Sequence, residues 1–93
     1  MNKEEAKAIL EKLLSVYRDK NYKELQYLLE PQDTSEVTAE SGVKYQIEFQ
    51  AVWDDKKDGD IRIMGAIDDG GLRAFMPLTD DFIMSPNGDF VDE

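Results

Sequence analysis

From Val43 to Trp53 the chain alternates apolar and polar residues. Val43, Tyr45, Ile47, Phe49, Ala51 and Trp53 fall on one side, and Lys44, Gln46, Glu48, Gln50 and Asp54 on the other, with Val52 the one exception. A strand sends successive side chains to opposite faces, whereas a helix would scatter this set around its axis. The stretch is therefore a long strand, and its polar side predicts a sheet covered on one face only.

The segments that follow extend the sheet. Ile61, Ile63 and Ile67 alternate with Arg62, Met64 and Asp68, and Gly65 falls on the aliphatic side, where a bulge or a close approach is expected. Residues 54–60 read as a turn, and Asp69-Gly70-Gly71 reads as a hairpin turn, because glycine accepts the positive φ of two-residue connections. Residues 72–78 are expected to return as a strand, with Pro77 at its end or edge. Phe82 to Met84 and Phe90-Val91 are expected to pair as two short strands across Ser85-Pro86-Asn87-Gly88-Asp89.

Ahead of the strands the period is helical. Ala6, Ile9, Leu10, Leu13, Val16 and Tyr17 line one face of a helix over Lys3 to Arg18, opened by Asn2 with Glu5 as a capping-box pair. Asn21 and Glu24 repeat that pattern, Tyr22, Leu25, Leu28 and Leu29 restart the stripe, and Pro31 ends it, which predicts a short helix over residues 22–29. Tyr17, Tyr22 and Tyr27 are expected between helices and sheet, and Met64, Phe75, Met76 and Met84 to be adaptable packing. Residues 31–42 read as a connecting loop, with a short strand near residues 36–39 as the alternative. The order predicts an α+β fold in one domain: an N-terminal helix pair on one face of a curved, three- to four-stranded antiparallel meander.

The opening LEKLLSVYRDKNYKELQYLLEP, a long helix, a turn holding Asp or Asn, an aromatic-led short helix and a Leu-Leu pair, resembles the start of the nuclear-transport-factor-two-like superfamily. The closing Pro-Asn-Gly-Asp turn before Phe90 and Val91 is similar to that fold's last hairpin. Full members carry a further helix and strand where this chain has only residues 31–42. The resemblance implies no single role, because members include isomerases, dehydratases, secretion-associated binding domains and immunity proteins that neutralise bacterial toxins. Its enzymes often place Asp, His or Tyr in a cone-shaped pocket, and no family catalytic motif maps onto a numbered position here.

Composition narrows the chemistry. The 93 residues contain no Cys and no His, which removes disulfides, thiolate nucleophiles, imidazole bases and Cys- or His-ligated zinc. Eleven Lys and Arg against 21 Asp and Glu give a net charge of −10, so neither nucleic acid nor an anionic membrane is an expected partner. The start Met1-Asn2-Lys3-Glu4-Glu5 lacks the pattern of a secretory signal, and the expected location is cytoplasmic. The surplus is uneven: residues 1–42 carry six basic and nine acidic side chains, residues 43–93 five and twelve.

The sharpest candidate is the loop Asp54-Asp55-Lys56-Lys57-Asp58-Gly59-Asp60. As a calcium loop it fails: with Asp54 first, Gly59 takes the sixth position, but Lys56 takes the third and Gly65 the twelfth, where oxygen ligands are required. No metal, cofactor or catalytic residue is expected. Asp80 and Asp81 read as an acid pair at a strand end that could share an edge with this loop, while Asp68 and Asp69 belong at the opposite end. Trp53 reads first as a core-edge residue and second as a contact hot spot beside acids. The expected interaction set is Trp53, Asp54, Asp55, Asp58, Asp60, Asp80 and Asp81. Its expected partner is a protein with a basic surface, which a small immunity or inhibitor protein would occlude. The competing expectations are a cone-shaped small-molecule-binding domain, isomerase or hydrolase using Tyr and Asp, and acidity that serves solubility alone.

Overall fold

The computed structural model describes residues 2–71 and 77–91. Helix α1 (Lys3–Arg18) is followed by α2 (Tyr22–Leu25), which runs directly into a 3-10 turn (Gln26–Leu29). Five strands follow: β1 (Asp33–Thr38), β2 (Lys44–Trp53), β3 (Ile61–Asp68), β4 (Leu78–Met84) and β5 (Phe90–Val91). They form one open antiparallel sheet in the order β1-β2-β3-β4-β5.

The fold class is the expected α+β, with three differences. First, there are five strands rather than three or four, because residues 33–38 of the expected connecting loop pair with β2 along their whole length, from Asp33 opposite Phe49 to Thr38 opposite Lys44. Second, the short helix over residues 22–29 changes from α to 3-10 geometry at Gln26. Third, Asp80 and Asp81 lie within β4, opposite Gly65 and Met64, and not in a turn. Of the return strand expected over residues 72–78, residues 72–76, including Phe75 and Met76, lie outside the described residues.

Local chemistry explains the elements. Asn2 caps α1 by accepting from the Glu5 amide at 3.1 Å, and Asn21 and Glu24 form a reciprocal capping box at α2. The Glu5 carboxylate reaches instead into the fold, accepting from the Tyr45 hydroxyl at 2.8 Å and the Ser41 hydroxyl at 2.7 Å. Along β2 burial alternates without a break, Tyr45, Ile47, Phe49 and Ala51 inside and Lys44, Gln46, Glu48, Gln50 and Val52 outside. Helix α1 crosses β3 and β4, and the 3-10 turn lies on β2. Ala6, Leu10 and Leu14 of α1, Leu25 and Leu28 close over Ile61, Ile63, Ile67, Phe82 and Met84. Each such aliphatic side chain contributes about 1.5–3 kcal/mol by leaving water.

Gly65 supplies the close approach and the ladder passes it with no bulge, since β2 and β3 pair residue for residue from Gln46 and Asp68 to Trp53 and Ile61. A Cβ at Gly65 would stand 2.6 Å from Phe49 Cε1 and 2.9 Å from Leu10 Cδ1. Glycine therefore lets the Phe49 ring and α1 settle onto the sheet. Tyr17 packs on Phe49 with ring centroids 4.4 Å apart, and Tyr22 packs at the core margin. Tyr27 does not: it is 74% exposed on the 3-10 turn, about half a turn away from the Tyr22, Leu25 and Leu28 stripe.

Candidate functional site

The β2–β3 loop is held by its own backbone. The Asp54 amide donates to the Asp60 carbonyl at 2.8 Å, the Gly59 amide to the Lys56 carbonyl at 3.0 Å, and Asp58 adopts a positive φ of 66°. The Tyr22 hydroxyl donates to the Gly59 carbonyl at 2.6 Å, which ties the loop to α2. Burial, then the nearby Asp58 carboxylate, pushes the Tyr22 hydroxyl above its ordinary pKa.

Arg62, on the outer face of β3, divides the expected acidic set. Its Nε and Nη2 donate to Asp54 Oδ1 at 3.1 and 2.8 Å, and its Nη1 donates to Asp81 Oδ2 at 2.6 Å. The hydrogen bonds from Asp81 and then Asp54 raise the guanidinium pKa above its ordinary value. Asp54 and Asp81 therefore meet across the sheet, but as a clamp on one shared cation that offsets half of their charge. Asp80 takes the other face, opposite Gly65, beside a depression it shares with Lys3 and Lys7 of α1. Trp53 is half-buried against the core margin. Asp55 and Asp58 are exposed and Asp60 half-buried, and no ion pair among the described residues holds any of the three. The expected single rim is thus three environments, with Asp55, Asp58 and Asp60 its outward-facing part. Sequence reasoning missed Arg62 as the hub; its only sequence signal was its outward register on β3.

At the other end of the sheet, Asp68 and Asp69 accept from the amides of Gly70 and Gly71 at 2.8 and 3.1 Å, so these carboxylates shape the start of the β3–β4 connection, which is not the expected two-residue hairpin, since Ile67 pairs with Leu78. The Gly71 amide, the largest influence on it, holds the Asp69 carboxyl below its ordinary pKa.

Besides the Asp80, Lys3 and Lys7 depression, other open depressions flank the sheet. On the outer face, Glu48, Gln50, Met64, Ala66, Thr79 and Asp81 border a trough of about 350 Å³. On the inner side a groove of about 480 Å³ runs between α1 and β1, with Ile9, Leu13, Val37 and Ala39 among its walls and Glu5, Lys12 and Glu40 at its rim. The Tyr17 hydroxyl, donating to Asp33 at 2.5 Å, and the bonds from Ser41 and Tyr45 to Glu5 tie α1 to the β1–β2 hairpin at either end of this groove.

Every buried side chain among the described residues is apolar apart from the Tyr45 hydroxyl, which Glu5 satisfies. No group of three or more carboxylates among them converges closely enough to hold a metal ion. No described helix is long and apolar enough to cross a membrane. Compared with family models, curated proteins and solved structures, the chain matches none.

Proposed function

We propose that this protein is a non-enzymatic binding protein for a cationic protein partner, acting as an immunity or inhibitor protein does, by occluding a basic surface. The observation that carries this reading is the division of the molecule into an apolar interior and a charged exterior. The core is filled by Leu, Ile, Phe and Met side chains, and the outward-facing acids sit on strands and turns. Catalysis by Tyr and Asp would need a carboxylate desolvated in a pocket so that its pKa moves toward the working pH. The depressions here are open and their carboxylates lie at the rim. Charge of this sign and size favours binding instead, since a net −10 raises the encounter rate with a basic protein and repels nucleic acid. The resemblance of the opening helices is to a superfamily that includes immunity proteins and enzymes alike, so it is compatible with this reading without selecting it.

Asp55, Asp58 and Asp60 are assigned the steering role, because no ion pair among the described residues holds them, whereas Asp54 and Asp81 share the Arg62 guanidinium. The test is affinity capture from the native host at low salt, followed by titration of each retained protein against the purified chain. The expected result is a basic protein whose affinity weakens as salt rises and again when Asp55, Asp58 and Asp60 become Asn. Recovery of no protein partner, or an affinity indifferent to both changes, overturns the reading.

A further inference from the structure

The free edge of the sheet at β1 suits a partner strand. The Ala39 amide donates to the Val43 carbonyl at 2.9 Å, so in the register of this hairpin the odd-numbered residues of β1 exchange bonds with β2. In an antiparallel ladder the alternate residues then turn their N–H and C=O groups the other way. Those are Thr34, Glu36 and Thr38, and β1 is the outermost strand of the sheet. Five of the six residues of β1 are exposed. Edge strands are commonly blocked by Pro, by Lys or by a bulge. The sequence DTSEVT contains neither Pro nor Lys, its two charges are both acidic, with Asp33 held by the Tyr17 hydroxyl, and its pairing with β2 is continuous, so the edge is closed to an acidic strand rather than to a basic one.

Side-chain surroundings specify the chemistry of the occupant. A strand laid along β1 would send alternate residues inward beside Val37, toward the groove walled by Ile9 and Leu13, and the intervening residues outward beside Glu36. The inner positions call for apolar side chains. The outer positions and the rim present Glu36, which accepts from the Gln46 side chain at 2.7 Å, and Glu40 beside Lys12, with Lys44 one strand further in, while the Glu5 carboxylate is held by Tyr45 and Ser41. The local charges nearly offset, so the net charge of −10 on the whole chain is what favours a cationic strand and disfavours a second copy of the same acidic chain.

We infer that β1 is a docking edge for an extended polypeptide segment of alternating basic and apolar residues, added as a sixth, antiparallel or parallel strand with its apolar side chains in the α1–β1 groove. Main-chain bonds give such an added strand its affinity and alternate side-chain pockets its specificity. The inference rests on the cationic-partner reading above and gives that partner a binding mode, with the Asp55, Asp58 and Asp60 loop steering and the β1 edge holding.

The test uses the full chain and a capped peptide of alternating lysine and valine, beside the same peptide N-methylated on the amides of one edge. N-methylation keeps charge and side chains but removes donors. The expected result is that the unmodified peptide slows amide exchange at Thr34, Glu36 and Thr38 and shifts the methyl signals of Ile9, Leu13 and Val37. The N-methylated peptide is expected to bind at least about tenfold more weakly, the equivalent of one to two net hydrogen bonds. Glu36→Lys weakens binding severalfold, while Asp55→Lys, on the distant loop, changes the dissociation rate little. Equal binding of the two peptides, protection confined to residues 54–60, or self-association of the chain through β1 that excludes the peptide overturns the edge mode. Such results leave the cationic-partner reading to its own titration. Failure of both peptides to bind at low salt overturns the edge mode as well.

Discussion

Replacing Gly65 by alanine tests the packing that holds α1 on the sheet. The added methyl carbon would sit 2.6 Å from Phe49 Cε1 and 2.9 Å from Leu10 Cδ1, well inside van der Waals contact. Leu10 can yield by rotating its terminal methyls. Phe49 cannot yield as easily, because its ring is rigid, 3% exposed and stacked on Tyr17 at 4.4 Å. Overpacking of this kind costs about 1–3 kcal/mol. Alanine recovers about 0.5–1 kcal/mol, because glycine loses more backbone freedom on folding. The net expectation is a loss of about 1–2 kcal/mol, or roughly 5–15 °C in Tm for a domain of this size. Urea denaturation followed by circular dichroism measures it, with the midpoint falling at constant slope. In a Phe49→Leu background the same change should cost less, because the closest atom is gone, and the two substitutions should couple. A Gly65→Ala variant as stable as the parent, or additive with Phe49→Leu, would refute the close-approach account.

Three further outcomes follow from the geometry. Burial, followed by the Glu5 hydrogen bond, pushes the Tyr45 hydroxyl from 10.0 up to about 12, so between those values the unfolded chain has released a proton that the folded chain retains, and stability falls as pH rises. Tyr45→Phe should flatten that alkaline loss in denaturation series at pH 7 and 11, while costing about 1–2 kcal/mol at neutral pH through the missing bond to a carboxylate. Asn21→Ala removes the α2 cap and should cost about 1 kcal/mol in the same assay, with faster amide exchange over residues 22–25 as the local sign. Arg62→Gln leaves Asp54 and Asp81 facing each other without their shared cation, so stability should drop at low ionic strength and recover on adding salt, whereas the parent should respond less.

Sequence legibility followed burial. Strand β2 could be recognised because water lies on one side of it and core on the other, which writes the period directly into its residues. The same contrast marked Ile61, Ile63 and Ile67, and the gap in their aliphatic row at Gly65 signalled a bulge or a close approach, of which the structure has the second, by Phe49 and Leu10. Strand β1 was legible only in part, as the alternative short strand near residues 36–39, because it is a sheet edge whose one inward aliphatic is Val37; its extended conformation comes from main-chain pairing with β2. Asp80 and Asp81 misled for a related reason. Acids side by side suggest a turn, yet β4 accommodates them by sending one to each face, Asp81 to Arg62 and Asp80 toward α1. Tyr27 stands about half a turn from the Tyr22, Leu25, Leu28 and Leu29 stripe even in α geometry, so only its aromatic character suggested burial, and it lies outside. The acidic loop was legible as turn chemistry, but the partition of its charge was not, since the Arg62 clamp joins residues 54, 62 and 81 from three strands and loops.

The central claim is that the outward acids of this molecule recruit a basic protein. Its most direct test is the association rate constant between the chain and its captured partner, measured by stopped flow across a salt series for the parent and for the variant carrying Asp55→Asn, Asp58→Asn and Asp60→Asn. Asparagine suits the comparison because it removes charge and still accepts the positive φ at residue 58. The predicted result is a rate that falls steeply with salt in the parent, starts about tenfold lower in the variant, and converges at high salt, with dissociation little changed. Association rates that are the same for both proteins and flat across the salt series would contradict the account.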